Sequence, residues 1–165
     1  GHDVDIVAVT KGFGADAIRA AMAAGLTRIG ENYAQEAVAK VSECRAAGLG
    51  FELHFIGHVQ TNKVRSLVPV VDVWQSVDRT EVVRELGRRT APGARLLVQV
   101  NATGEASKSG CPLDAVPALL DAARANSLSV EGLMTIGPTD GDPSRTRAAF
   151  RATRALVDRL GLTTC

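Results

Sequence analysis

Six short apolar runs, each followed by a stretch with helical periodicity, constrain this chain more than any other feature of its sequence. Most of the runs are rich in β-branched residues and end at turn residues, which is typical of strands in a parallel sheet. Strict alternation with connections of only a few residues predicts parallel strands joined by right-handed crossovers. The sequence therefore predicts an α/β fold, either a closed barrel or an open doubly wound sheet.

The predicted strands are short, and the first one, over residues 6–9, is expected to be buried on both faces. The other five are predicted over residues 28–31, 51–56, 70–75, 96–100 and 129–136. Asp16, Asn32 and Asp78 are of the residue types that cap helix N-termini, so we predict that three of the helices begin at these positions.

The length of the chain bears on the choice between the two architectures. A closed barrel needs about eight strand–helix units and typically ~250 residues, whereas this chain has 165. Its last residues, from Gly161 to Cys165, have the pattern of a helix stop followed by the start of another strand. We expect one domain over residues 3–165 that is cut inside a unit, and we expect residues 1–2 to be left over from cloning.

Composition excludes several classes of function. A net charge of +1 and an aromatic content of 4% give no basis for binding nucleic acid or an anionic membrane. We found no run long enough to span a bilayer and no signal-peptide pattern. The three cysteines are far apart and without a CxxC pair, which favours a reducing compartment. We therefore expect a cytoplasmic protein.

Polar side chains follow the predicted strands, at the edge where α/β proteins place their sites. Lys11 comes directly after the first apolar run. An amine at an apolar strand end is partly desolvated, which favours the neutral form that attacks an aldehyde to give a Schiff base. The alternative is a lysine whose ammonium group lies in water above the sheet.

Asn32, Ser76 and Asn101 follow the second, fourth and fifth predicted strands. Together with Lys11 they form a set of one amine and several neutral hydrogen-bonding groups, which suits a polar, planar aldehyde better than hydrolysis. Each also has a structural alternative: Asn32 as a helix cap, Ser76 as a turn hydroxyl and Asn101 as a turn former.

The turn after Lys11 suggests a second class of function. Gly12, Gly14 and Ala17 match the G-x-G-x-x-A pattern of dinucleotide-binding proteins, between a strand and a helix. Glu31 lies near the distance in sequence at which such proteins bind a ribose hydroxyl. An NAD-dependent oxidoreductase is therefore the alternative hypothesis.

Several longer strings occur together in a specific order. They are Ala8-Val-Thr-Lys11, Gly30-Glu-Asn-Tyr-Ala-Gln-Glu36, His54-Phe-Ile-Gly-His-Val-Gln-Thr-Asn-Lys63, Ser76-Val-Asp78, Val98-Gln-Val-Asn101, Ser107-Lys-Ser-Gly110 and Gly132-Leu-Met134. With these strings the chain resembles the pyridoxal 5′-phosphate homeostasis protein family, the single-domain relatives of the alanine racemase barrel. The resemblance covers nearly the whole chain from Val4 onward.

The resemblance implies a TIM-type (β/α)8 barrel, truncated here after about six units. It implies that Lys11 holds pyridoxal 5′-phosphate as a Schiff base, with Asn32, Ser76 and Asn101 in the cofactor pocket. It further implies a monomeric protein that maintains intracellular pyridoxal phosphate and vitamin B6, has no established catalytic activity, and has pyridoxal-phosphate-dependent apoenzymes as partners. An amino-acid racemase using the same cofactor is a further alternative.

The sequence departs from the family pattern in two places. Gly12-Phe13-Gly14 replaces the family's usual proline-containing turn after the lysine. The family's phosphate-gripping segments, a serine-methionine-glycine turn and an arginine-isoleucine-glycine-threonine segment, would lie beyond Cys165. We therefore expect the chain to be a piece of a longer protein.

Overall fold

A parallel sheet forms the centre of the molecule in a computed structural model that describes residues 4–165. Its six strands lie in the order of the sequence, and each pairs in parallel with the next. They are β1 (Ala8–Val9), β2 (Arg28–Glu31), β3 (Glu52–Phe55), β4 (Val73–Val77), β5 (Arg95–Val100) and β6 (Ser129–Thr135).

Helices connect the strands, as the alternating pattern predicts. They are α1 (Ala15–Ala23), α2 (Ala34–Ala46), α3 (Thr61–Leu67), α4 (Thr80–Arg89), α5 (Val116–Ala125), which a 3₁₀ turn (Leu113–Ala115) precedes, and α6 (Pro143–Arg159). A doubly wound sheet reverses its strand order at a switch point, and the described sheet has none. The TIM-type α/β fold class is confirmed, with the described sheet left open between β1 and β6.

The two faces of the sheet differ in polarity because successive side chains of a strand point to opposite sides. The outer face carries buried apolar residues such as Ile29, Leu53, Val98 and Leu133, which form one core with the helices. The opposite side, here called the inner face, carries the residues Arg28, Gly30, Glu52, His54, Arg95 and Gln99.

Two predicted strands need correction. β1 is shorter than residues 6–9, and it is not buried on both faces: Ile6 is 62% and Val9 is 50% exposed. The reason is that β1 has β2 as its one strand neighbour in the described sheet. β4 begins at Val73 rather than at residue 70, because the amides of Val70 and Val71 still bond to the Leu67 carbonyl at the end of α3.

The three predicted helix caps are wrong. The residues at the cap positions of α1, α2 and α4 are Gly14, Tyr33 and Arg79, and none of them makes a side-chain cap hydrogen bond. In each case the helix begins slightly before or after the predicted asparagine or aspartate, which leaves that side chain free for other contacts.

The end of the chain agrees with the prediction of a further strand. Gly161 ends α6 with a φ of +67°, a conformation that favours glycine. Thr164 then forms a parallel bridge with Gly132, so close that a Cβ at Gly132 would lie 1.8 Å from the Thr164 carbonyl oxygen. In the part of the chain that the structure describes, no helix is long and apolar enough to cross a membrane.

Candidate functional site

Lys11 lies at the carboxyl end of β1, where alternation assigns its side chain to the inner face. The backbone amide of Thr10 donates to the Gly30 carbonyl at 3.0 Å, so Lys11 stands level with Asn32, which directly follows the neighbouring strand β2. The Lys11 side chain is exposed, and it makes no hydrogen bond or ion pair with any residue between 4 and 165. Within the described residues the Lys11 amine is therefore exposed to solvent, as in the alternative prediction, because β1 has one strand neighbour there.

Asn32 is half-buried and lies between β2 and α2 rather than capping the helix. Its backbone is packed tightly against Gly57, where a Cβ would lie 1.9 Å from the Asn32 carbonyl oxygen. Asn32 also lines a cavity of about 430 Å³ together with His58 and Lys63. The close packing fixes Asn32 at the carboxyl ends of β2 and β3.

Ser76 lies inside β4 and is fully buried. The turn alternative is wrong because the strand runs on to Val77. The register between β4 and β5 shifts between Trp74 and Val77, so the strand is irregular at this point. The Ser76 Oγ has no hydrogen-bond partner among the described residues. A buried hydroxyl without a partner is unfavourable in a protein interior, and a ligand is one way to satisfy it.

Asn101 directly follows β5, and its side chain is bonded within its own loop. Its Nδ2 donates to the Glu105 carbonyl at 2.8 Å. Its Oδ1 accepts from the Gly104 amide at 3.0 Å and from the Thr103 hydroxyl at 3.1 Å. The structure thus shows the turn-forming role, and one Nδ2 hydrogen remains for another acceptor.

Asp78 contacts residues that follow β3, β4 and β5, whereas the sequence predicted only a helix cap at this position. Its Oδ1 accepts from Arg79 Nη1 at 2.7 Å and its Oδ2 from the Gly110 amide at 3.3 Å. His58 Nδ1 lies 4.0 Å from the same Oδ2. These contacts place the loop after β5 against the ends of β3 and β4.

A buried ion pair behind Lys11 was not foreseen from the sequence. Glu31 is fully buried, and its Oε1 lies 2.6 Å from the Nζ of Lys40 on α2. The same Oε1 accepts a hydrogen bond of 2.6 Å from the Thr10 hydroxyl. Since Glu31 is enclosed in this way, it is unavailable to a ribose hydroxyl, which removes the main support for the dinucleotide hypothesis.

A second polar network occupies the inner face below the strand ends. His54 Nε2 lies 2.8 Å from Glu52 Oε1, and its Nδ1 lies 2.7 Å from Gln75 Nε2. Arg95 bridges Glu52 and Glu131. Burial lowers the pKa of His54 below its usual value, so the neutral imidazole is favoured, with Nε2–H donating to Glu52.

Cys111 is buried beside the end of β5. Burial, with a smaller contribution from the charge of Asp78, raises the pKa of its thiol to about 11. The thiolate is the reactive form, so Cys111 is a poor nucleophile at neutral pH.

Comparison with known proteins defines the class to which this fold and site belong. The sequence model of the family described as "Alanine racemase, N-terminal domain" matches residues 1–164. The chain belongs to this family, in the branch of the pyridoxal phosphate homeostasis proteins, as its sequence strings predict. It is 39% identical to the pyridoxal phosphate homeostasis protein of Pseudomonas aeruginosa, over 96% of this chain and 70% of that protein. It is 34% identical to the protein of the same name from Haemophilus influenzae, over 96% of this chain and 69% of that protein.

Solved structures agree with this assignment. PipY from Synechococcus elongatus, with pyridoxal phosphate bound, is 31% identical with a TM-score of 0.80, over 95% of this chain and 74% of that one. An alanine racemase from Clostridium difficile is 13% identical with a TM-score of 0.76, over 99% of this chain and 45% of that one. At this low identity, the similarity to the alanine racemase shows a common fold and nothing about function.

Proposed function

We propose that this protein binds pyridoxal 5′-phosphate through Lys11 and thereby helps to maintain the cellular supply of this cofactor. The observation that carries the proposal is an unpartnered lysine amine at the carboxyl end of β1. The relatives named as pyridoxal phosphate homeostasis proteins, and PipY with the cofactor bound, support it.

The residues present fit the aldehyde end of this cofactor. Pyridoxal phosphate supplies an aldehyde, and a primary amine bonds to its carbon as a Schiff base with the loss of one water molecule. Lys11 offers such an amine without an internal partner that would compete for it. The Ser76 hydroxyl offers an unsatisfied polar group on the same edge of the sheet.

The protein's own groups have separate roles in this proposal. Lys11 would hold the cofactor at its aldehyde carbon through Nζ, from the carboxyl end of β1. Asn32 and Ser76 orient the ring through hydrogen bonds, from β2 and β4. Asn101 holds the loop of residues 101–110 in shape, and its remaining Nδ2 hydrogen points to a role at the edge of the pocket.

The finer parts of the proposal concern where and how the cofactor is used. We place the protein in the cytoplasm as a monomer, and we propose that it passes the cofactor to pyridoxal-phosphate-dependent apoenzymes. The exposure of Lys11 supports transfer, because a solvent-accessible imine can be reached by water or by another amine. Two of the three cysteines, Cys44 and Cys111, are free and buried, which fits a reducing compartment.

A reductive labelling experiment tests the proposal. Pyridoxal phosphate is added to the full-length protein, the product is reduced with borohydride, and the modified peptide is identified by mass spectrometry. We expect one dominant adduct on Lys11, present equally in a Lys108→Ala control, since the Lys108 Nζ is bonded to the Gly137 carbonyl beyond β6. A dominant adduct elsewhere, or none, would overturn the proposal.

The same preparation discriminates the alternatives. An amino-acid racemase exchanges the α-proton of its substrate with solvent, so deuterium incorporation into free amino acids would favour enzymatic turnover. Dinucleotide binding measured by calorimetry, lost on Gly14→Val and retained on Lys11→Ala, would favour the oxidoreductase.

A further inference from the structure

The buried ammonium of Lys40 lies among oxygen atoms that belong to the segment around Lys11. Its side chain is only 8% exposed. Nζ lies 2.9 Å from the carbonyl oxygens of both Thr10 and Phe13. The other two oxygen neighbours are carboxylates, Glu31 Oε1 at 2.6 Å and Glu36 Oε2 at 3.3 Å. Lys40 therefore binds the backbone on both sides of Lys11.

Further hydrogen bonds complete the attachment of this turn. The Gly12 amide donates to Glu36 Oε2 at 2.9 Å, and the Phe13 amide donates to the Thr10 carbonyl at 3.2 Å. Thr10 is also held through its hydroxyl by Glu31. Thr10, Gly12 and Phe13 are thus all bonded, whereas the Lys11 side chain between them has no partner in the described chain.

The ion pair and the Lys11 side chain lie on opposite faces of the sheet. Thr10 points toward α2, where Glu31 and Lys40 lie, and alternation places Lys11 on the opposite, inner face. An apolar pair would fill the space of Glu31 and Lys40 without the cost of burying two charges. Apolar side chains, however, make no hydrogen bonds to the carbonyls of Thr10 and Phe13. The ion pair therefore holds the backbone of residues 10–13 in one conformation, which an apolar pair could not do.

We propose that Lys40, together with Glu31 and Glu36, is a positioning residue that fixes the backbone of Lys11 for bonding to the aldehyde of pyridoxal phosphate. This inference rests on the proposed function of Lys11. It assigns a task to both glutamates of the Gly30–Glu36 string and to a lysine four residues beyond it. Lys40 itself does not contact the cofactor, because it lies behind the sheet.

The test compares the rate at which Lys11 is labelled in folded variants. Lys40→Met alone leaves Glu31 buried without a counter-charge, which is strongly destabilising. The double variant Glu31→Gln/Lys40→Met removes both charges together. We expect it to fold, and we expect imine formation with pyridoxal phosphate at Lys11 to slow by roughly tenfold or more, since small misplacements of reacting groups have effects of this size.

A second variant keeps the test decisive if the double variant does not fold. Glu36 is only half-buried, so Glu36→Ala is expected to fold; it removes the acceptor of the Gly12 amide and one contact of Lys40. We expect a smaller decrease in the labelling rate of Lys11, about threefold by the same reasoning. Arg95→Met serves as a control, because it breaks ion pairs at the far end of the sheet.

An internal readout separates positioning from general loss of structure. The rate at Lys11 is divided by the rate at Nα-acetyl-lysine added to the same sample, and circular dichroism verifies the fold. We expect this ratio to fall in the Glu31/Lys40 and Glu36 variants and to stay unchanged in Arg95→Met. Folded variants with an unchanged ratio would overturn the positioning role alone. Absence of a Lys11 adduct in the unmodified protein would instead overturn the proposed function.

Discussion

Replacing Gly57 by alanine tests the packing that holds Asn32 at the strand ends. The added Cβ would lie 1.9 Å from the carbonyl oxygen of Asn32, 2.7 Å from its carbonyl carbon and 2.9 Å from its Cα. All three atoms belong to the backbone, so no side-chain rotation relieves the overlap. The chain between β2 and α2 has to move away from β3.

The size of the effect follows from this geometry. Overpacking of a protein interior typically costs 1–3 kcal/mol, and a clash with backbone alone belongs at the upper end, about 3 kcal/mol. For a domain of this size, 1 kcal/mol shifts the melting temperature by about 2–4 °C, so we expect a decrease of roughly 6–12 °C. The displaced Asn32 should also weaken the binding of pyridoxal phosphate.

Gly50, at the other end of the same strand, provides the matched control. A Cβ at Gly50 would meet no atom within 4 Å, and its φ lies outside the left-handed region. Gly50→Ala should therefore be neutral, or stabilising by about 0.4–1 kcal/mol through the entropy of the unfolded chain. Urea unfolding followed by circular dichroism, with fluorescence titration of the cofactor, measures both variants. Equal stability of the two variants would show that the chain after β2 can move away from Gly57 without cost.

Three further predictions concern individual buried side chains. Ser76→Ala removes a hydroxyl without a protein partner, so urea unfolding should show unchanged stability or a gain of about 1 kcal/mol, while titration shows weaker cofactor binding; a marked loss of stability would contradict this. Burial lowers the pKa of His54 from 6.5, so the unfolded chain takes up its proton first. Stability should therefore fall as the pH drops below 6.5, until the folded imidazole also titrates, and this component should be missing from His54→Gln in a series of melting temperatures. The Cys111 thiol, with a pKa raised to about 11, should react with a thiol reagent at pH 8 far more slowly than the exposed Cys165, and equal rates in timed mass spectrometry would show that Cys111 opens readily.

The order and type of the elements could be predicted because each is determined by its local sequence. The prediction of strand β2 over residues 28–31 agrees with the structure, and Gly25 and Gly48 follow the first two helices with a positive φ, a conformation that glycine favours. Helix starts were harder to predict, because a nearby asparagine or aspartate resembles a cap even when its side chain bonds elsewhere. Asp78 is an example: its carboxylate joins strand ends that are distant in sequence.

The site was predictable in part. Lys11, Asn32, Ser76 and Asn101 all lie at or near the carboxyl ends of strands, as parallel pairing requires. The environment of each was not predictable, since exposure depends on which strands are neighbours. Lys11 is exposed because β1 has one strand neighbour in the described sheet, and Ser76 is enclosed because β4 runs over Val73–Val77 and includes it.

Local sequence accounts for the alternation of strands and helices, the position of the lysine and the family to which the chain belongs. These properties depend on periodicity and on short strings of residues, which are local. The packing of distant elements is what places Glu31 against Lys40 rather than a ligand and bonds Lys40 to the turn carrying Lys11. Such contacts join residues up to thirty positions apart, and they exist only after the packing of α2 against the sheet has brought them within hydrogen-bonding distance.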